Sequence, residues 1–268
     1  MGMEKNKDIS SLDTLFSRSA NYYHSSKFKE LLDFINKFPS LSPFNAFLIH
    51  MQDAGSTVVL TADRWIRYGR KVNENARPMV ILVPFGPVDF VYDISDTSGS
   101  EIPDLLVNPF ITAGNVEPSK YSLIISNVSN DRIYINESQM YKSSAGYATN
   151  RQTDKFEIVL NSTFQLNEKF STLIHELAHV YCGHLGKLKE SWWDDRNHLD
   201  KDSIEIEAES ISFLVCSRFG LKTSSEAYLA EYIKNHKDMP QISLEIILTV
   251  SNYIETLASK TFRPKKKR

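Results

Sequence analysis

Cysteine is scarce in this sequence, and its scarcity excludes one class of fold. Only Cys182 and Cys216 occur among 268 residues, which is too few for the disulfide framework that holds small secreted domains together. Two cysteines fit a reducing compartment, and a single bridge between them is also compatible with the sequence. A disulfide-rich extracellular module is therefore excluded.

Long apolar runs and an excess of charge are missing as well. No apolar stretch approaches the roughly 20 residues that span a bilayer, and the polar start MGMEKNKDIS lacks the hydrophobic segment of a signal peptide. The formal net charge of −2 gives no global field that attracts nucleic acid or acidic lipid. We therefore expect a cytoplasmic protein without a membrane partner.

The composition and length are those of a globular protein with room for two domains. Hydrophobic residues make up 41% of the chain, which is enough to bury a core. Residues 98–118 concentrate Gly, Pro, Ser and Asn and so favour a boundary, with one domain over residues 1–110 and another over residues 111–268. Strand-like segments precede helical ones in the second half, and we predict an α+β protein.

Periodicity and capping residues predict the elements of the first half. Ser42 and Thr61 are typical N-caps, and Pro43 suits the first helical position. The predicted elements are two helices within residues 8–38, helices starting at Pro43 and after Thr61, and a hairpin of residues 79–85 and 88–94.

The second half shows the same two kinds of pattern. Short β-rich runs predict strands at residues 132–136, 146–147 and 155–160. Helical periodicity predicts helices over about residues 165–183, 202–219, 224–237 and 241–259.

One of these helices carries a pattern with a specific chemistry. Residues 171–184, STLIHELAHVYCGH, contain His-Glu-x-x-His. Residues four apart lie on one face of a helix, so His175 and His179 can bind one zinc ion. Glu176 lies about 100° further round and can take the proton of a zinc-activated water that attacks a carbonyl. Because unpaired histidines are costly among apolar neighbours, we predict a zinc site.

The third ligand of such a site must come from elsewhere in the chain. The metzincin pattern requires a histidine where this chain has Leu185, so that reading fails. The loop SWWDDRNH offers Asp194, Asp195 and His198, but they lack a helical spacing. These three residues are the weaker source of a ligand.

The segment IEIEAESISF is the stronger source. Glu205, Ala208, Glu209 and Ser212 fall on one stripe of a helix, and the two small residues would let it approach the histidine helix closely. We prefer Glu205 as the ligand, with Glu209 hydrogen-bonding a ligand imidazole from the second shell. Glu209 as the ligand is the competing assignment, and a solvated acidic first turn is the non-functional one.

These motifs resemble those of known families. TLIHELAHVYCGH followed by EIEAESISFLV resembles the ImmA/IrrE-type zinc metallopeptidases, in which Glu-x-x-Ala follows the HExxH helix. Most of residues 40–235 also resembles ArdC-type antirestriction proteins, through SPFNAFLIHMQ, TADRWIRYGRKV, RPMVILVPFGPVDFVYDISDTSG and SAGYA.

The resemblance implies a single-stranded DNA-binding domain followed by a zincin-like metallopeptidase domain. By that similarity His175, His179 and Glu205 are the ligands of a gluzincin-type zinc site and Glu176 is the catalytic base. Two features depart from the family pattern. VNENARP is neutral where the family has a Gly-rich basic turn, and Glu209 stands where the peptidases commonly have Asn or Asp.

Nucleic-acid binding needs a local basic surface, because residues 1–118 hold 11 Lys and Arg against 14 Asp and Glu, a balance of −3. The segment RWIRYGRK places Arg64 and Arg67 among the aromatic residues Trp65 and Tyr68. Arginines can hold phosphates while aromatic rings stack on unpaired bases. The competing interpretation puts Trp65 and Ile66 in the core and leaves the arginines solvated.

The sequence thus predicts a zinc metallopeptidase fused to a single-stranded DNA-binding domain, with a protein or peptide substrate. We expect the substrate backbone to pair with a strand edge at residues 155–160, and Tyr147 is a candidate for stabilising an oxyanion. The alternative function is a non-proteolytic antirestriction protein that binds single-stranded DNA and uses zinc structurally.

Overall fold

The computed structural model describes residues 24–83, 88–101, 114–140, 145–151 and 155–262. They form two compact units, one of residues 30–113 and one of residues 24–29 with 114–262. The mixture of helices and small sheets confirms the α+β class. The predicted boundary at residues 110 and 111, and the earlier of the two helices predicted within 8–38, lie outside the described residues.

The elements up to residue 101 include both helix starts predicted from capping residues. Ser42 Oγ accepts a hydrogen bond from Asn45 N (3.2 Å), and Thr61 Oγ1 accepts one from Arg64 N (3.4 Å). The elements are α1 (Ser25–Asn36), α2 (Pro43–Gln52), β1 (Val59–Leu60), α3 (Ala62–Arg67), β2 (Arg70–Val72), β3 (Met79–Ile81), β4 (Asp89–Asp93) and β5 (Thr97–Gly99).

The strands of this unit form two small antiparallel sheets. β1, β4 and β3 pair in that order, and β2 pairs with β5. The β3–β4 pair confirms the predicted hairpin strands, whose connection lies outside the described residues. The fully buried Trp65 packs with Val58 and Leu60, and its indole N–H donates to Tyr92 O at 2.9 Å.

Two side-chain amides of α2 bind the outer edge of β3. Gln52 donates to Val80 O (2.9 Å) and accepts from Val80 N (2.7 Å). Asn45 donates to Leu82 O (2.9 Å) and accepts from Leu82 N (3.0 Å). Edge strands leave backbone groups unpaired, and here two amides satisfy them as a neighbouring strand would.

The other unit is built on a mixed three-stranded sheet. Its elements are α4 (Pro118–Val128), β6 (Ile133–Ser138), β7 (Gly146–Asn150), β8 (Phe156–Asn161), α5 (Leu166–Tyr181), α6 (Lys201–Arg218), α7 (Ser224–Asn235) and α8 (Leu244–Leu257). β8 is the central strand, parallel to β6 and antiparallel to β7. α5 packs on β7 and β8, α6 packs on α5, and α7 and α8 pack on α6.

Two sequence-based expectations differ from this arrangement. Helix α4 was not predicted, because Pro118 was assigned to the end of a loop-rich boundary. The strand at residues 155–160 was expected to offer a free edge, whereas β8 is paired on both sides and all six of its residues are buried. A strand buried on both faces reads as a continuous apolar run, and such a run does not reveal whether its edges are free.

A glycine sets the distance between α5 and the sheet. A Cβ atom on Gly146 would lie 2.8 Å from Thr172 Cγ2 on α5 and 2.8 Å from Val159 O on β8. Contacts under 3.0 Å are essentially never seen for a real Cβ. Gly146 therefore lets the HExxH helix lie close to β7.

An aromatic cluster closes the C-terminal end of α5. Tyr181, the last residue of α5, has its ring centroid 5.2 Å from that of Trp193, and Trp192 lies 5.2 Å from Tyr253. The hydroxyls of Tyr181 and Tyr253 both donate to Asp131 Oδ2, at 3.1 and 2.6 Å. None of the helices in the described ranges is long and apolar enough to cross a membrane.

Candidate metal centre

Helix α5 presents two histidines side by side. His175 Nε2 and His179 Nε2 are 3.1 Å apart, a separation that suits two nitrogens each about 2.0–2.1 Å from one ion. Burial, together with the nearby His175 and His184, lowers the pKa of His179 to about 2. The imidazole is therefore neutral at physiological pH, and the neutral imidazole is the form that binds a metal.

Helix α6 brings a carboxylate to the same point. α6 begins at the N-cap Asp200, whose Oδ1 accepts from Ser203 N at 2.9 Å. One turn later Glu205 Oε2 lies 3.8 Å from His175 Nε2 and 4.0 Å from His179 Nε2. One ligand atom from each of these three residues lies within 4.8 Å of the others. The predicted triad thus converges in space.

Glu209 approaches the same histidine pair from the other side. Its Oε1 lies 3.5 Å from His175 Nδ1, the ring nitrogen that points away from His179 and Glu205. Ala208 and Ser212, on the same stripe of α6, are buried, as small residues in a helix interface should be. Glu205 therefore lies on the Nε2 side of the histidine pair, and Glu209 lies on the Nδ1 side of His175.

Glu176 lies beside the histidines in a cavity of about 240 Å³. Burial raises the pKa of its carboxyl, and this effect is opposed by His175 and by a hydrogen bond from the backbone N–H of Ala148 on β7. The remaining walls are mostly small hydroxyl side chains, from Ser171, Thr172, Ser212, Ser224 and Ser225. The carboxylate is thus held at the wall of a polar space that adjoins the histidines.

The turn that ends α5 folds a third histidine back onto the helix. Gly183 has a left-handed φ of 75°, which permits the pair of bonds Gly183 N to Val180 O (3.0 Å) and His184 N to His179 O (3.0 Å). This is the Schellman ending of a helix. It brings His184 Nδ1 to 3.1 Å from His179 Nδ1.

A buried carboxylate continues this line of contacts. His184 Nε2 lies 2.9 Å from Glu207 Oε2, and both side chains are inaccessible to solvent, with exposures of 1% and 0%. Arg196 binds both oxygens of Glu207 (2.6 and 2.7 Å), and Ser243 N donates to Oε1 (2.7 Å). These residues were not predicted from the sequence, although a Gly-His pair directly after the HExxH helix signals the turn that places His184.

Cys182, His184 and Glu207 form a second group with ligand-type atoms close together. The guanidinium of Arg196 already neutralises Glu207, and burial raises the pKa of the Cys182 thiol well above its usual value. A cation would have to displace Arg196 and ionise a buried thiol. This group is therefore unsuited to a second metal ion.

The loop residues that were the weaker ligand candidates stay apart from the histidines. Asp194 pairs with Lys187 at 3.6 Å and its side chain is 88% exposed. Asp195 and His198 belong to neither of the two groups of potential metal ligands found among the described residues. The loop instead supplies Arg196 to Glu207.

The HExxH helix and the helix with Glu205 lie in a segment of the chain that matches a known domain family. Residues 129–237 match the IrrE N-terminal-like domain, the model of a peptidase family. The matched residues run from just after α4 through α7, and they include the two helices with His175, Glu176, His179 and Glu205. The ImmA/IrrE resemblance of the sequence motifs is confirmed for this IrrE-like segment, residues 129–237.

Individual relatives cover different parts of the chain. An uncharacterized protein of Bacillus anthracis is 33% identical over 109 residues, which is 39% of this chain and 17% of that protein. The match therefore spans less than a fifth of that relative. Two crystal structures of the antirestriction protein ArdC from a plasmid, one metal-free and one with Mn(II), are also similar to this chain. Their identities are 15% and 14%, their TM-scores 0.41 and 0.40, and the alignments cover 83% and 86% of this chain and 86% and 95% of theirs.

The residues proposed to contact DNA lie outside the IrrE-like segment, on and just after α3. Arg64 and Arg67 are exposed, and Tyr68 is half-buried against the Trp65 core. Trp65 is fully buried, and its indole N–H is bound to Tyr92 O. The prediction that Trp65 stacks on a base is wrong, because its side chain is fully buried. Ile66, which the competing interpretation places in the core, is 62% exposed.

Proposed function

We propose that the protein is a zinc-dependent hydrolase of peptide bonds, with His175, His179 and Glu205 as metal ligands. The convergence of these three side chains, with ligand atoms within 4.8 Å of one another, carries the proposal. Two imidazole nitrogens and one carboxylate oxygen make up a donor set of catalytic zinc sites. Magnesium and calcium prefer oxygen ligands throughout, so the donors favour zinc.

The protein's own residues would divide the work of hydrolysis. Zinc, when bound, supplies Lewis acidity toward a substrate carbonyl and makes water more acidic. Glu176 takes the proton from the attacking water and passes it to the leaving amine. The Ala148 N–H bond holds the carboxylate, and burial raises the carboxyl pKa toward the range useful for proton transfer. Glu209 orients the His175 ring from behind.

The peptide would lie along β7 rather than β8. Within the described ranges no strand pairs with the outer edge of β7, and Ala148 on this strand contacts Glu176. An extended peptide can add to such an edge through main-chain hydrogen bonds. A substrate bound there would run past Glu176 and the histidine pair.

Tyr147 does not fit the oxyanion role considered for it. Side chains alternate between the two faces of a strand, and Gly146 faces α5. Tyr147 therefore points to the opposite face of the sheet, away from the HExxH helix, where it is 46% exposed. No residue is assigned to an oxyanion in its place.

The replacement Glu176→Gln tests the proposal. The amide keeps the shape of the side chain but cannot accept a proton, so we expect stoichiometric zinc, an intact fold and no cleavage of a peptide library by mass spectrometry. Glu190→Gln is the control, because Glu190 bonds Arg132 (3.1 Å) and belongs to no metal-ligand group described above. Cleavage by Glu176→Gln at the wild-type rate would show that Glu176 is not the base. If neither wild type nor Glu176→Gln cleaves any peptide, the proposed peptidase activity is refuted.

A second candidate function is single-stranded DNA binding by the unit of residues 30–113, with zinc in a structural role. The exposed pair Arg64 and Arg67 on one short helix favours it, because arginines three apart lie near each other on a helix and can hold successive phosphates. Tyr68 is half-buried rather than fully buried, and aromatic side chains of this kind can stack on unpaired bases. An antirestriction role would follow from that activity rather than from hydrolysis.

A further inference from the structure

The metal-binding histidine of the proposed function has an unusual partner. The second nitrogen of a metal-bound histidine normally donates to a carboxylate, a backbone carbonyl or water. For His179 that nitrogen, Nδ1, faces His184 Nδ1 at 3.1 Å, and His184 Nε2 faces Glu207 Oε2 at 2.9 Å. The imidazole of His184 thus lies between the proposed metal ligand His179 and the carboxylate of Glu207.

Only one distribution of protons satisfies every contact in this line if His179 binds metal through Nε2. Its proton then lies on Nδ1 and is donated to His184 Nδ1, which must accept. The single proton of His184 therefore lies on Nε2 and is donated to Glu207. A proton on His184 Nδ1 would clash with the proton on His179 Nδ1, because the two nitrogens are only 3.1 Å apart.

The carboxylate at the end of the line is fixed on every side. Arg196 binds both oxygens of Glu207, and Ser243 N donates to one of them. Arg196 is itself placed by its backbone N–H, which donates to Gly183 O at 2.9 Å. The same turn thus positions His184 and the cation that holds its carboxylate, and the side chains of His184 and Glu207 are closed to water.

We propose that His184 and Glu207 are positioning residues for the metal centre: Glu207 sets the tautomer of His184, and His184 sets the tautomer and ring orientation of His179. This inference rests on the proposed function only in so far as His179 is a metal ligand, and it does not require hydrolysis. Partners of this kind typically change metal affinity 10–100-fold when they are removed.

Zinc affinity of the full chain tests the inference. Metal-free protein is titrated with Zn²⁺ against a chromophoric chelator for wild type, His184→Phe and His184→Gln. We expect both replacements to weaken zinc binding 10–100-fold, since the glutamine can still donate to Glu207 but does not place an acceptor at His179 Nδ1. Glu255→Gln is the matched control, because Glu255 pairs with the buried Arg218 (2.5 Å) and has no contact with the histidines.

Each outcome decides the inference. Weaker binding by both His184 variants, with Glu255→Gln within twofold of wild type, supports it. Binding by the His184 variants within twofold of wild type overturns it and leaves the proposed function intact. Wild-type protein that binds no zinc overturns both. Wild-type protein that binds zinc but cleaves no peptide overturns only the proposed hydrolysis.

A measurement without substitution covers the case in which His184→Phe does not fold. Long-range proton–nitrogen correlation spectra of zinc-loaded, ¹⁵N-labelled wild type distinguish the two tautomers of each histidine. We expect the proton of His179 on Nδ1 and that of His184 on Nε2. A proton on His184 Nδ1 would overturn the proposal.

Discussion

At the residue scale, Gly183 combines a backbone conformation and a close approach that both require glycine. Its φ is 75°, and a Cβ atom there would lie 1.9 Å from the backbone oxygen of Asp194. The left-handed conformation alone costs a non-glycine residue about 1–3 kcal/mol. The overlap with a backbone atom adds to this, because no side-chain rotation can relieve it.

We therefore predict that Gly183→Ala lowers the free energy of unfolding by more than that conformational cost. Gly114→Ala is the matched control, since Gly114 also has a left-handed φ (60°) but nothing lies within 4 Å of its added Cβ. Urea unfolding of both variants measures the difference. If both variants lose the same free energy of unfolding, the backbone around Asp194 relaxes without an energetic cost.

The two glutamates of α6 should separate in their effects on zinc. Glu205 lies on the Nε2 side of the histidine pair and Glu209 on the Nδ1 side of His175. We predict about one zinc per chain in wild type and no retained zinc in His175→Ala/His179→Ala. Glu205→Gln should lose far more zinc affinity than Glu209→Gln, whose loss should be about 10–100-fold. Metal analysis by mass spectrometry checks this, and the reverse order would make Glu209 the ligand.

Local sequence predicted the three convergent residues but not the line behind them. His175 and His179 follow from helical spacing, and Glu205 follows from the stripe it shares with small residues. Glu207 lies off the stripe of α6 that carries Glu205 and Glu209, and its carboxylate instead contacts His184 and Arg196. Its partner His184 is placed by the glycine turn that ends α5, which the Gly-His pair signals locally. Arg196 comes from a loop whose position depends on the close approach of Gly183 to Asp194, which no local pattern encodes.

At the scale of elements, α2 substitutes for a strand at the edge of β3. We predict that Asn45→Ala/Gln52→Ala lowers the free energy of unfolding by about 1 kcal/mol or more, because four hydrogen bonds to β3 and the following residue are lost. The bared edge should also promote self-association. Urea unfolding and sedimentation velocity measure the two effects. A variant with the stability and the sedimentation coefficient of wild type would show that water replaces the amides without cost.

Sequence patterns located most helices and strands but did not determine strand order. Caps such as Ser42 and Thr61 act within one turn, so they can be recognised locally. The choice of β7 over β8 as the free edge depends on a parallel pairing with β6, between segments separated by more than ten residues. Helix α4 was missed because its proline was read as a loop signal, although proline also suits the first turn of a helix.

At the scale of the whole molecule, metal binding and DNA binding are proposed for different units of the chain. If Arg64 and Arg67 hold phosphates, Arg64→Ala/Arg67→Ala should weaken binding to single-stranded DNA. It should also reduce the slope of log affinity against log salt by about 0.7 per lost phosphate contact. Fluorescence anisotropy at several salt concentrations measures this.

The control for this DNA experiment changes charge in the other unit. Lys234, an exposed residue of α7, should leave the slope unchanged when replaced by alanine. Removal of zinc by a chelator should leave DNA binding intact, because the arginines belong to the unit of residues 30–113. If wild type does not bind single-stranded DNA even at low salt, α3 has no role in DNA binding and is an ordinary packed helix.

The distribution of tryptophan gives each unit its own spectroscopic label. Of the chain's three tryptophans, Trp65 is in the unit of residues 30–113, whereas Trp192 and Trp193 pack around Tyr181, two residues beyond the second histidine of the HExxH helix. Incorporation of fluorotryptophan would therefore yield one ¹⁹F resonance from the unit of residues 30–113 and two from the unit that contains the HExxH helix. Unfolding of each unit, and its response to zinc, can be followed in a single sample without any substitution.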